Sequence, residues 1–267
     1  MNGLSSLPKL SEKDPINQLF KRWFIELGIL FRIQLSIIRQ QWVIVFVISA
    51  LFPLTTLMFM KFFAVDPSSD AIIRIISGNM IFGLVVMGLN SMGQEISWQK
   101  HQGHFTFYAS LPISKVNFIL ANLMKGFLTA LPSFIVLAII GQLVFGVQFH
   151  YSMGLLPVMI LTIFSVVGLG VCIGFWSPNQ QLTNLLVQVL MMVISFMTPV
   201  MVEKSQLPIL LQIVSYIFPT TYATSALREM LTIGWTETVT VNMGILATYT
   251  IVTYVIINRF VSWRVEG

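Results

Sequence analysis

The chain has 267 residues, of which 56% are hydrophobic and only 9% are charged. A soluble domain carries about 25% charged residues, so this composition excludes a water-facing exterior and requires lipid over much of the surface. The formal charge of +5 is distributed beside apolar runs, as membrane topology signals are, and not along a phosphate-binding face for nucleic acid.

Residues 1–15 are polar, contain Pro8 and Pro15, and lack the apolar core of a cleavable signal peptide. They are expected to form a flexible N-terminus, with the mature protein beginning at or near Met1. From Ile16 the pattern changes. Ile16, Leu19, Phe20, Trp23, Phe24, Leu27, Leu30 and Phe31 recur at helical spacing, with Gln18, Lys21, Arg22, Glu26 and Arg32 across from them. The spacing predicts an interfacial amphipathic helix over 16–40, its aromatic face in the headgroup boundary. The alternative is a helix that extends the first span into water.

An all-α transmembrane unit occupies 41–267, with six spans near Trp42–Phe63, Ile72–Gln94, Phe118–Phe145, Met153–Trp176, Leu182–Val202 and Val239–Phe260. Pro53 and Pro132 fall inside the first and third. Gly170 and Gly174 give the fourth a GxxxG, a possible close helix contact. The sole cysteine, Cys172, lies in the same span and excludes an intrachain disulfide. The stretch 203–238 holds two apolar pieces split by Pro219, each too short to cross. Making them a pair of spans would put Arg228 and Glu229 in lipid at a cost of about 2.5–3.5 kcal/mol per charge. Two short re-entrant helices on the outer face fit better.

Placing both termini inside puts Lys9, Lys13, Lys21, Arg22, Arg32, Arg39, Lys100, Lys115, Lys125, Arg259 and Arg264 on the cytoplasmic side. Lys61, Arg74, Lys204 and Arg228 remain outside, so all fifteen basic residues divide eleven to four. That bias satisfies the positive-inside rule.

Chemistry-bearing motifs are few. The sequence has no GxxxxGK[ST] phosphate loop, GxSxG or HExxH, and no catalytic residue is assigned. His101 and His104 share a loop with Glu95, but two histidines three apart lack a complete metal shell, so no metal or other cofactor is expected on the chain itself. Within the spans the polar residues are mainly Asn79, Asn90, Gln142, Asn184 and Gln188, and charge is almost absent. An ion-coupled transporter needs a titratable group there. If the chain drives transport, its motor belongs to another polypeptide.

The connection after the second span reads QEISWQKHQGHFTFYASLPISKVNFILANLMKG. Glu95 continues the helix, Gly103 interrupts it, and FTFYASLP makes a short amphipathic piece ending at Pro112. This order resembles the signature loop of type-2 ABC exporter permeases, in which an acidic residue, a glycine, a short hydrophobic helix and a P-[IV]-S break precede the third span. The resemblance extends to the N-terminal interfacial helix and to FPTTYATSALREMLTIG, where Pro219, Tyr222 and Arg228 stand in the family's order. It departs at His104, where the family has threonine, and at Phe105, Phe107 and Tyr108, which replace an acidic position.

The resemblance implies a transport subunit without its own ATPase site. It implies pairing with a second permease copy or a related permease, and with two cytoplasmic ABC ATPase subunits that hold ATP and Mg. The loop comprising Glu95, Trp98, Gly103, Phe105, Phe107, Tyr108, Leu111 and Pro112 would couple to the ATPase. Its aromatics, taken as exposed, would anchor that contact, the other reading being a membrane-interface belt. The SPNQQ turn between the fourth and fifth spans would add a smaller contact. Substrate would pass along Asn79, Asn90, Gln188, Met191, Met192 and Phe196, residues equally consistent with ordinary helix packing. A path rich in methionine and phenylalanine suits an amphiphile such as a drug, a lipid or a hydrophobic peptide. The alternatives are export of a lipid-linked polysaccharide within the same family, and a passive channel or integral membrane enzyme outside it.

Overall fold

The computed structural model describes residues 15–63, 69–105, 108, 113–200 and 204–260, and these residues form helices and connections without a strand. The expected flexible N-terminus through Asp14 lies outside the described residues, as do Phe107, Leu111 and Pro112 of the loop.

Helix α1 runs Pro15–Gln40, close to the expected 16–40. Leu30 is buried, Trp23, Leu27 and Phe31 are half-buried, and Phe20 and Phe24 are more than half exposed beside Lys21 and Arg22. Aromatic and basic residues therefore share its outer surface, the arrangement that holds a helix at the headgroup boundary. Helix α2 comes next, over Trp42–Phe63.

Helix α3, Ser69–Val85, passes through a π-helical turn, Val86–Ser91, into α4, Met92–His101. The three form one apolar rod, Ile72–His101, of 30 residues. At 1.5 Å per residue it is about 45 Å long against a hydrocarbon core of about 30 Å, so one end must stand clear of the bilayer. Nothing breaks the helix until Gly103, whose φ of 73° is left-handed; that is why the rod outruns the expected end at Gln94.

Helix α5, Lys115–Phe145, runs through Pro132 without interruption. Ser114 caps its start, the Oγ accepting from the Asn117 N–H at 3.2 Å. Helix α6, Leu155–Trp176, is the central element, packed against α4, α9 and α10. A Cβ added at Gly170 would lie 2.7 Å from the Gly88 and Leu89 carbonyl oxygens, and one at Gly174 would lie 2.6 Å from the Gly93 oxygen. The GxxxG is thus a backbone-to-backbone crossing.

Helix α7, Gln180–Met197, stops five residues before the expected Val202. Thr198, which precedes Pro199, is driven to extended backbone and cannot continue a helix. Two short helices come next, α8 over Ile209–Ser215 and α9 over Pro219–Thr232, before α10, Glu237–Phe260. Helix α9 is buried along most of its length, whereas α8 exposes Ile209, Leu210 and Ile213.

Among the described residues, five helical stretches are long and apolar enough to cross a membrane: Ile72–His101, Val116–Phe145, Leu155–Trp176, Gln180–Met197 and Glu237–Arg259. The chain is an all-α, multi-pass membrane protein. The remaining expected span, Trp42–Phe63, is a continuous helix at its expected bounds.

Candidate functional site

The rod made by α3 and α4 and the start of α5 bracket the loop at Gly103. No atom of the described residues lies within 4 Å of a Cβ added at Gly103, and its φ of 73° is left-handed, so glycine serves its backbone conformation. Trp98, one turn before the break, is 42% exposed and meets His104 edge-on at 4.9 Å.

Phe105 corrects the reading of the loop aromatics as exposed. It is 4% exposed, with its ring 5.5 Å from Phe118 and 5.0 Å from Phe175. The chain turns back after Gly103 and the apolar seam between α5 and α6 takes up the first aromatic it meets. Tyr108 also packs on Phe118, at 5.0 Å. Its phenol pKa is raised by burial and, secondarily, by the nearby Glu95 charge.

Beneath the loop is an ion pair. Lys125 Nζ donates to Glu95 Oε1, the two side chains being 6% and 21% exposed. Gln99 Nε2 donates to the same oxygen at 3.0 Å. The spans are therefore not free of charge: a lysine from α5 and a glutamate from α4 are held together inside the bundle, where removing one partner is costly.

The end of α4 also grips the turn between α6 and α7. Lys100 Nζ donates to the carbonyls of Phe175 at 2.7 Å and Ser177 at 3.0 Å, placing a cation on the C-terminus of α6. The His101 ring nitrogens each lie 2.7 Å from a carbonyl oxygen, Ser97 on one side and Pro178 on the other. Helix α1 joins from the other flank: Glu26 Oε1 accepts from the Ser114 N–H, and Asn117 Nδ2 donates to Trp23 O at 3.0 Å.

The six substrate-path residues do not share one face. Asn79 is wholly buried and donates to Ile75 O at 2.8 Å. Asn90 lies in the π turn, whose i→i+5 bonding rotates α4 relative to α3; the two asparagines are thereby separated. Asn90 instead belongs to a polar ladder. Gln94 Nε2 donates to Asn90 Oδ1 and, at 3.2 Å, to Asn184 Oδ1, which also accepts from Gln188 at 3.3 Å. Met192 and Phe196 are 66% and 72% exposed on the α7 surface with Gln188, while Met191 turns toward the core.

At the opposite end of the bundle, Pro219 opens α9. Tyr222 Oη donates to Tyr216 O at 3.0 Å, tying α9 to α8, and Arg228 Nε donates to Ser77 Oγ at 3.4 Å, tying α9 to α3.

The model of the ABC-2 type transporter family matches residues 25–232, most of the chain, from within α1 to the end of α9. The chain belongs to this family. No curated protein matches the sequence significantly. An ABC-2 membrane domain is the permease component of an ABC transporter and is not itself an ATPase; it works with an ABC ATPase partner.

Sequence reading missed the Glu95–Lys125 pair, the Gln94–Asn184 bridge, the grip of Glu26 on Ser114 and the hold of Lys100 and His101 on the α6–α7 turn. One signal for the first was available. Lys125 stands eight residues into the expected third span, too deep to be assigned without a counter-charge.

Proposed function

We propose that this chain is the membrane half of an ATP-driven exporter of amphiphilic molecules in the cytoplasmic membrane, with both termini inside. Two permease copies, or this chain and a related one, stand over two ATPase subunits that bind ATP and Mg. The observation that carries this reading is the loop at Gly103, mounted on the 30-residue rod and latched to the α6–α7 turn through Lys100 and His101. A push on such a loop moves α4, α5 and α6 together, as a rigid-body switch between inward-open and outward-open states requires. Trp98, Phe107, Tyr108, Leu111 and Pro112 are the proposed docking residues, and Glu95, Gly103 and Phe105 shape the loop that carries them.

An amphiphile is favoured over a polysaccharide by the α7 surface. The polar ladder of Asn90, Gln94, Asn184 and Gln188 lies beside exposed Leu185, Val189, Met192 and Phe196, so a headgroup and a chain each find a matching strip.

The test is co-purification of the nucleotide-binding subunit with the intact chain. Trp98→Ala and Phe107→Ala are expected to release it at least tenfold more readily, as loss of an aromatic anchor does. Undiminished association in both variants would remove the docking assignment. Absence of any ATPase partner would remove the exporter.

A further inference from the structure

Helix α1 carries four basic residues, Lys21, Arg22, Arg32 and Arg39, and one acid, Glu26. All four basic residues are exposed, and none has a hydrogen bond or ion pair among the described residues. Glu26 is engaged elsewhere, accepting from the Ser114 N–H. The outer surface of α1 therefore holds positive charge that the helix itself does not neutralise.

Helical geometry sorts the four. Lys21 and Arg39 are 18 residues apart, about five whole turns, and Arg32 falls within about 20° of the line that joins them. Arg22 stands about 100° to one side of that line, and the buried Leu30 and Gln34 lie opposite it. Gly28 falls between Lys21 and Arg32 on the same face, and no atom of the described residues lies within 4 Å of a Cβ added there. The three cations thus form a straight, open stripe about 27 Å long.

The borders of the stripe identify what covers it. Ile25 and Ile29 on one side and Phe24 on the other are each more than half exposed. Water is a poor medium for that mixture, and lipid at the headgroup boundary is a good one. Long basic side chains reach up to phosphate while their apolar neighbours enter the acyl region. A stripe parallel to the helix axis keeps all three cations at one depth when the helix lies along the bilayer surface, where phosphates form a matching plane of acceptors.

We infer that the Lys21–Arg32–Arg39 stripe binds phospholipid of net negative charge. This binding needs neither the ATPase nor the transported cargo. Because Glu26 holds the Ser114 N–H and Trp23 O accepts from Asn117, lipid that seats α1 also seats the end of the Gly103 loop.

The test is native mass spectrometry of the full-length chain titrated with phosphatidylglycerol or with phosphatidylcholine. Phosphatidylglycerol is expected to bind more tightly, by a margin that narrows as ammonium acetate is raised. Substituting Lys21, Arg32 and Arg39 together by Gln is expected to weaken phosphatidylglycerol by about fivefold for each charge removed, and to leave phosphatidylcholine unchanged. The charge-conserving set Lys21→Arg, Arg32→Lys and Arg39→Lys is expected to keep the preference, which separates charge from folding. Arg22→Gln, off the stripe, should weaken binding less than Arg32→Gln. Equal losses from those two single variants, or a preference that survives the triple Gln substitution, would overturn the assignment. So would a triple variant that keeps phosphatidylglycerol but releases the ATPase, since the stripe would then belong to the protein partner.

Discussion

Glu95 and Lys125 meet across 30 residues of sequence at a point where water is scarce. Neither charge is well placed without the other, so the pair is worth most when measured by breaking it. Glu95→Gln leaves Lys125 buried without its counter-ion and is expected to cost about 3 kcal/mol of stability; Glu95→Gln with Lys125→Met is expected to recover part of that loss. Thermal unfolding of the four variants in one detergent gives the coupling. A loss in the double variant equal to the sum of the two single losses would mean that no coupling exists. Tyr108 provides a second readout, since Glu95 is the smaller of the two causes that raise its phenol. In Glu95→Gln the phenol should titrate closer to its ordinary value of about 10, measured by tyrosinate absorbance against Tyr108→Phe. Linkage sets the sign of the effect on folding. A raised phenol pKa contributes stability that is complete below the ordinary value and lost as pH rises through the raised one.

At the scale of elements, glycine decides how closely the central helix is approached. Gly170→Ala would drive a methyl into two backbone carbonyls that have no rotamer through which to yield. A loss of about 1–3 kcal/mol is expected, the range for overpacking. Gly244, exposed on α10 with no atom of the described residues within 4 Å of an added Cβ, is the control. There alanine should be neutral or stabilising by up to about 1 kcal/mol, because it restricts the unfolded chain without a clash. Similar unfolding temperatures for the two variants would refute the crossing. These elements also show what the sequence carries and what it does not. Apolar length, the Ser114 cap, Gly103 and Pro199 act within a few residues, so helix positions are legible to within a few residues. The π turn has no local signature, and it separates Asn79 from Asn90, which a regular helix would align. Phe105 is misjudged from sequence for a related reason: an aromatic after a glycine break looks exposed until the seam between Phe118 and Phe175 is assembled from distant segments.

For the whole molecule, the question is which ends of the rods lie together. Glu26 of α1 accepts from the Ser114 N–H beside the Gly103 loop, whereas α3 begins at the far end of the rod that ends at His101. The chain must therefore travel the bundle's height between Gln40 and Ser69. The 22 residues of α2 provide about 33 Å for that purpose, enough for a sixth crossing. Single cysteines read this directly, because the native Cys172 lies within α6. Arg22→Cys, Gln102→Cys and Gln181→Cys are expected to react with a membrane-impermeant maleimide from one side, and Met153→Cys, between α5 and α6, from the other. The proposed orientation, with both termini inside, has the first three reacting from the cytoplasmic side. Labelling of Arg22→Cys together with Met153→Cys would mean that α2 does not cross and that α1 reaches the Ser114 loop by another route. Labelling with Gln102→Cys would put the amphipathic helix and the exposed Trp98 at one end of the bundle, where a single partner can engage them together.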